Sequence, residues 1–313
     1  MSDIENDTPL PTHLRFENYT GSQCWQRQIR TRNLSRDIAK SPLSLEKIRS
    51  LRTGDFNFSF VPKEDKEQCD EVKKFIEENE WLGKINQRVT HRFIARTKIS
   101  DELVGVIIMS VPNTFSLLLG GEYRNREKLI SRGASLSWSP KNTASWLLMN
   151  SIHWMVRETD FCLFTAYSDS EAKELGTIYQ SCNFFYLGKT SGTDKQYFDP
   201  QRKEAGWFSS RHFRHKSVVK RHAKELGIEL PREWWKDNDY SLDWTKVPTD
   251  IKVALKGAEK RYQAACLERP TPRKHKYCYV LGKKPLETKF LRKRFKELHP
   301  DLVDLPYPKN RGE

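Results

Sequence analysis

Two pairs of residues in this sequence have types and spacings that could do chemistry. Asp169 follows the apolar run 161–167 (FCLFTAY), and Tyr179 comes ten residues later. A buried strand that ends in polar residues presents them at its carboxyl edge, where open α/β sheets bind ligands. A carboxylate there can orient or deprotonate an amine, and a tyrosine can protonate a leaving group. Asp169 as a helix cap and Tyr179 as core is the plain structural alternative, and spacing alone leaves the two readings level. In the second pair, Arg132 is the lone charge of a strand-like stretch over 129–138, and Ser145 falls in the first turn of the helix expected next. A helix N-terminus offers free backbone N–H groups and a favourable dipole to an anion. Arg132 would add charge-assisted hydrogen bonds. Lys141 and Asn142, in the polar loop before that helix, join Ser145 as candidates for holding a donor molecule. A surface arginine and a simple helix-start serine are the competing reading.

Other signatures are missing. There is no G-x-S-x-G elbow, no P-loop, no G-x-G-x-x-G and no H-E-x-x-H. His212 and His215 stand three apart but have no third ligand at a useful spacing, so no metal site is expected. Cys24, Cys69, Cys162, Cys182, Cys266 and Cys278 are scattered with no C-x-x-C pair, which speaks against a zinc ribbon or a disulfide framework.

The elements that must position the candidates can be read from hydrophobic periodicity. Residues 65–79 place Cys69, Val72, Phe75 and Ile76 at helical spacing. Strands are expected over 91–97 and 103–111, the second (LVGVIIMSV) nearly all apolar and therefore central. Residues 129–138 read as a further strand, 144–157 as a helix apolar on most faces, 161–167 as a buried strand, 172–181 as a helix and 183–187 as a strand. This order predicts a mixed α/β domain over residues 61–200. Residues 1–60 read as an N-terminal arm with one short helix near 45–51. Beyond 200 come basic helices over 209–227 and 286–298, a loop rich in Trp and acids over 230–244, a helix over 250–268 and a short strand over 277–281. Residues 201–313 are accordingly expected to be a basic C-terminal extension.

Charge follows the same division. The net charge is +14, yet residues 1–190 hold 26 Lys and Arg against 24 Asp and Glu, while residues 191–313 hold 29 against 17. Such an imbalance suits one part that performs chemistry and another that holds a polyanion. The nucleic-acid-binding candidates are Arg211, Arg214, Lys216, Lys220 and Arg221 on one basic helix, and Arg292, Lys293 and Arg294 on the other. A polar, acidic start without an apolar signal core, and no apolar run of membrane-spanning length, predict a cytoplasmic protein without membrane association.

The segment AYSDS…GTIYQSCNFFYLG, with Tyr179 and Phe184 at a helix-to-strand junction, resembles the second half of the GNAT acyltransferase fold. More narrowly, it resembles the SYADP…GTIYQA segments of the bacteriophage Mom family. The family's Arg and Ser match Arg132 and Ser145, PKN stands as Pro140-Lys141-Asn142, and its Asp and Tyr match Asp169 and Tyr179. The closing LPYPK (305–309) is similar as well. The resemblance covers roughly residues 70–220 and the tail. It implies a GNAT-like mixed central sheet flanked by helices. It also implies a transferase that attaches a carbamoylmethyl or related group to the exocyclic amine of adenine in double-stranded DNA, an anti-restriction modification. Catalytic roles pass to Asp169, Tyr179, Arg132 and Ser145, with Tyr167, Trp138 or Phe115 as platforms for a flipped base.

Two departures bear on the donor. The loop Ser139–Thr143 has no glycine, which disfavours close backbone approach to a pyrophosphate. SDS replaces the family's ADP around Asp169. The donor stays open between acetyl-CoA and a related acyl or glycine-derived molecule, and the oligomeric state could be a homodimer. Two alternatives stay open as well: an acetyl-CoA-dependent N-acetyltransferase acting on a protein or small amine, and a non-catalytic nucleic-acid-binding protein.

Overall fold

The apolar run around residue 106 forms β3 (Leu103–Ser110) and is buried along its whole length in the computed structural model, as expected of a strand covered on both faces. The structure describes residues 24–309 apart from 86–87, 192–193, 203–205 and 237–240. Numbered in chain order, β1 (Phe56–Val61), β2 (Val89–Thr97), β3 and β4 (Glu127–Ser135) run antiparallel to one another. Next, β5 (Leu163–Asp169) joins β4 in parallel. On its other side β5 pairs antiparallel with β10 (Lys274–Val280), which in turn pairs with β6 (Phe185–Lys189). The sheet order is β1-β2-β3-β4-β5-β10-β6. This is the mixed α/β sheet flanked by helices expected above.

Alternation along the strands gives both faces of the sheet an apolar surface for helices to cover. Helix α4 (Thr143–Glu158) packs Leu147, Leu148, Ile152 and Met155 against Phe164, Ala166 and Tyr277. Helix α8 (Pro285–Leu298) packs Leu291 and Phe295 against Leu163, Cys278 and Val280 on the opposite face. Helix α3 (Lys66–Asn79) covers Val104, Val106 and Ile108 with Val72 and Ile76.

Three expectations are corrected. The arm over 1–60 is not loose where it is described: besides α2 (Leu45–Ser50), residues 25–40 form α1 (Trp25–Lys40) and β1 is the sheet's edge strand, whereas 1–23 lie outside the described residues. Helix α1 escaped the periodicity argument because its buried positions are Ile29, Asn33 and Asp37, two of them polar. The helix expected over 172–181 is only α5 (Thr177–Ser181), because Gly176 takes φ +65° and interrupts it. Finally, 201–313 is not one extension. Two compact units divide the chain, 24–190 with 273–309 and 191–272, so that β10 and α8 belong to the main sheet.

The second unit has its own sheet, ordered β8-β7-β9 from β7 (Lys195–Phe198), β8 (Phe208–Ser209) and β9 (Leu267–Pro270). The basic helix expected over 209–227 divides into a 3-10 turn, Ser210–Arg214, and α6 (Lys216–Glu225). Together with α7 (Thr249–Ala265), α6 builds a core around Val219, Ala223, Trp235 and Leu255.

Candidate active site

The sheet forks between its two parallel strands. Pairing of β4 with β5 runs from Glu127–Leu163 to Ile130–Ala166 and stops there, although β4 continues to Ser135 and β5 to Asp169. Beyond the stop, β4 stays with β3 and β5 stays with β10. The β3–β4 register shifts at Ile108–Met109, and Ser131 on the bulge donates its hydroxyl to the Ile108 carbonyl at 3.1 Å. Bulges of this kind re-aim side chains, and the residue they re-aim here is Arg132.

Arg132 Nε donates to the Lys84 carbonyl at 2.6 Å and lies 4.0 Å from Glu80 Oε2. Glu80 follows the last turn of α3 and also accepts the Gly83 N–H at 2.8 Å. A buried acid facing a half-buried arginine thus stands at the mouth of the fork. Glu174, in the irregular stretch between β5 and α5, completes it. Burial first, then the charges of Glu80 and Asp169, push the Glu174 carboxyl from its ordinary 4.5 to about 8. Tyr179 is pushed far above its usual value by burial and by Glu174, while Arg132 pulls it back. Its ring packs 5.3 Å from both Phe184 and Tyr277.

Tyr277 holds the loop that carries Glu174. Its hydroxyl donates to the Leu175 carbonyl at 2.5 Å, and Gln180 Nε2 donates to the same oxygen at 2.7 Å. The tail reaches the turn between α5 and β6, for the Tyr307 hydroxyl donates to the Phe184 carbonyl at 2.6 Å. Asp169 pairs with Lys274 at 2.9 Å and accepts the Glu171 N–H at 3.0 Å. Its own backbone carbonyl accepts the Glu174 N–H at 3.0 Å.

Arg132, Asp169 and Tyr179 are therefore linked through Glu174 and Glu80. Ser145 stands apart from Arg132. Its hydroxyl donates to the Asn142 carbonyl at 3.0 Å, and its backbone carbonyl lies 3.9 Å from the Cys182 sulfur at the end of α5. Asn142 takes φ +73° before α4 and gives it no side-chain cap. Lys141 lines a cavity of about 530 Å³ with Arg49, Arg52 and Trp138. Of the three stacking candidates, Trp138 is buried in the α3-side core, Phe115 is half-buried under Arg124, and Tyr167 is 39% exposed with Lys276 above its ring.

Sequence reasoning missed Glu174, Glu80 and Lys274. In the helix expected over 172–181, Glu174 would have been one more solvated acid. The signal that could have revealed it is Gly176, a helix breaker placed between Glu174 and Tyr179.

The loop before α4 is held from behind by α1. Asp37, buried, accepts from the Ser137 N–H at 3.1 Å and its hydroxyl at 2.6 Å, while Arg30 donates to the Ser137 carbonyl at 3.1 Å. Asp37→Ala should cost about 1–3 kcal/mol, read as a lower urea midpoint. An unchanged midpoint would show that α1 does not brace this loop.

Among the basic residues of the second unit, Arg211, Arg214 and Lys220 are exposed, Lys216 lies over Trp235 at 5.1 Å and Arg221 over Tyr262 at 4.4 Å. In the main unit Lys293 is exposed and Arg292 donates to the Val280 carbonyl at 3.1 Å. Arg294 donates to the Leu119 carbonyl at 2.6 Å and pairs with Glu122, so it is already engaged within the protein. Among the described residues no His, Cys, Asp and Glu cluster suits a metal ion, and no helix is long and apolar enough to cross a membrane.

A mixed sheet opened between parallel strands, with Arg132, Glu174 and Tyr179 at the opening, accords with the class that the family match gives: the chain is a transferase of the acyl-transfer type. It belongs to the Mom protein family, whose model matches residues 66–309, from α3 to the closing LPYPK. No curated protein matches the chain significantly in sequence. Among solved structures, an N-acetyltransferase from Staphylococcus aureus Mu50 is similar at 9% identity and a TM-score of 0.32, covering 72% of this chain and 97% of that one. An IAA acetyltransferase from Bacillus cereus ATCC 14579 is 11% identical with a TM-score of 0.35, covering 72% and 99%. A GNAT family acetyltransferase from Elizabethkingia anophelis is 9% identical at 0.31, with the same coverage. These likenesses are distant.

Proposed function

We propose that this protein transfers a carbamoylmethyl or related acyl-type group to the exocyclic amine of adenine in DNA. The observation that carries the reading is the fork between β4 and β5 with Arg132, Glu174 and Tyr179 at its mouth, in a member of the Mom protein family. The amine nitrogen forms a bond to the transferred carbon as the donor's bond to its leaving group breaks. Glu174 accepts the amine's proton. Tyr179, kept protonated by its surroundings, donates to the leaving group. Arg132 holds negative charge on the donor. Asp169, tied to Lys274 and to the loop's backbone, positions Glu174. A base stacked in a duplex is poorly accessible, so the adenine is flipped out, with Tyr167 as the exposed ring beside the fork.

Mass spectrometry of nucleosides digested from the DNA of cells expressing the protein tests this. A deoxyadenosine carrying the added group, absent with Arg132→Ala, is the expected result. Unmodified DNA alongside abundant folded protein would overturn it.

A further inference from the structure

The main unit also carries a cavity away from the fork. A groove of about 1160 Å³ lies between the C-terminal half of α4, which contributes His153, Val156 and Arg157, and the start of α8 with the loop before it. Its rim carries Lys283, Lys284, Lys289, Lys293 and Lys296, its floor is apolar, and no acid lines it. Some of these cations have partners nearby: Arg157 meets Glu158 at 2.5 Å, Lys283 meets Asp160 at 3.1 Å and Lys293 meets Glu297 at 3.6 Å. Lys284, Lys289 and Lys296 are exposed and have no acidic partner among the described residues.

Strand register locates the groove. At the fork end of the sheet Lys274 faces Asp169, whereas at the other end Val280 faces Leu163, just before the groove residue Leu281. The seven residues of β5 separate the two ends by about 20 Å at ~3.3 Å per residue. Fifteen residues of α4 make the same journey, from Thr143 to Arg157 in the groove. A nucleic-acid strand spans that distance in about six steps of ~3.4 Å.

We infer that this groove binds the phosphate backbone of the nucleic-acid substrate several nucleotides away from the reacting base, so that the substrate must be a polymer reaching about 20 Å past its target. The inference rests on the proposed function. Charge favours phosphodiester: Lys289, Lys293 and Lys296 follow one another along one side of α8, about 6 and 4.5 Å apart along its axis, beside an acid-free wall. Contacts of this kind position a substrate and carry no sequence information.

The test uses the full-length protein and labelled DNA duplexes with one central adenine target and flanks of increasing length, titrated by fluorescence anisotropy over a range of salt. The triple variant Lys284→Ala, Lys289→Ala, Lys296→Ala alters none of the groups placed at the fork, and its melting temperature confirms folding. Wild type should gain affinity once a flank exceeds roughly six nucleotides. The variant should lose that gain, and its slope of log K against log salt should shrink by roughly 2 to 3, at ~0.9 per phosphate contact. A folded variant with unchanged length dependence and slope would overturn the groove assignment while leaving the proposed function standing. A wild-type protein that binds no duplex would remove the nucleic-acid reading itself. Competition by a polyglutamate peptide at lower concentration than duplex would give the groove an acidic protein partner, which also overturns the inference.

Discussion

Replacing Glu174 by Gln should lower the rate of group transfer by roughly 10²- to 10⁴-fold, the usual worth of a positioned proton acceptor. The substitution keeps the side chain's shape and removes its ability to take a proton. Burial, Glu80 and Asp169 hold the wild-type carboxyl near 8, so the wild-type rate should climb with pH toward about 8 and then level. The variant's residual rate should be flat over that range. Stability moves the other way. A carboxyl whose pKa folding raises contributes its full share of stability below the unfolded value of 4.5 and loses it as pH rises through about 8. Glu174→Gln should therefore be more stable than wild type at pH 9 and much closer to it at pH 4. An inactive variant that is also more stable at high pH would separate a lost catalytic group from a lost fold. Activity retained by Glu174→Gln but not by Asp169→Asn would move the proton to Asp169.

The second large effect concerns the hinge between Glu174 and Tyr179. Gly176 sits at φ +65°, and a Cβ there would lie 2.5 Å from the Tyr277 ring. The left-handed conformation costs an L-residue about 1–2 kcal/mol, and overpacking against a buried ring adds about 1–3 kcal/mol. Tyr277 has no room to yield, being fully buried and hydrogen-bonded to Leu175. Gly176→Ala should thus lose about 2–5 kcal/mol in urea denaturation and lose activity below its midpoint as well, since both neighbouring groups shift. Gly54→Ala is the control, because nothing lies within 4 Å of its added carbon. Equal stability of the two variants would mean that the turn is far more pliant than its packing implies.

Much of the central sheet was legible because β3 and β5 are continuous apolar runs and α4 is apolar on most faces, signals that burial writes directly into composition. Arg132, Asp169 and Tyr179 became candidates from their places at strand and helix ends and from the family resemblance, neither of which carries their geometry. What stayed hidden has a common cause. Helix α1 is held by Asn33 and Asp37 instead of an apolar stripe, and buried polar residues leave no periodic trace. Glu174 is an ordinary-looking acid whose properties arise from burial and from Glu80, almost a hundred residues earlier. The short strand near 277 was visible, but its place beside β5 was not, because strand pairing is a long-range fact.

That placement has a consequence for how the protein is made. Strand β10 separates β5 from β6, yet it is synthesised only after both of them and after the whole of residues 191–272. At ~5 to 20 residues per second, the ribosome needs roughly 4 to 17 s to pass from residue 190 to residue 274. Throughout that interval the edge of β5 that faces away from β4 is an open row of backbone donors and acceptors, ready to pair with any exposed strand. Misassembly on the ribosome should therefore be governed by how long the nascent chain waits for β10, and slow codons in the intervening stretch should lower soluble yield without changing a single amino acid.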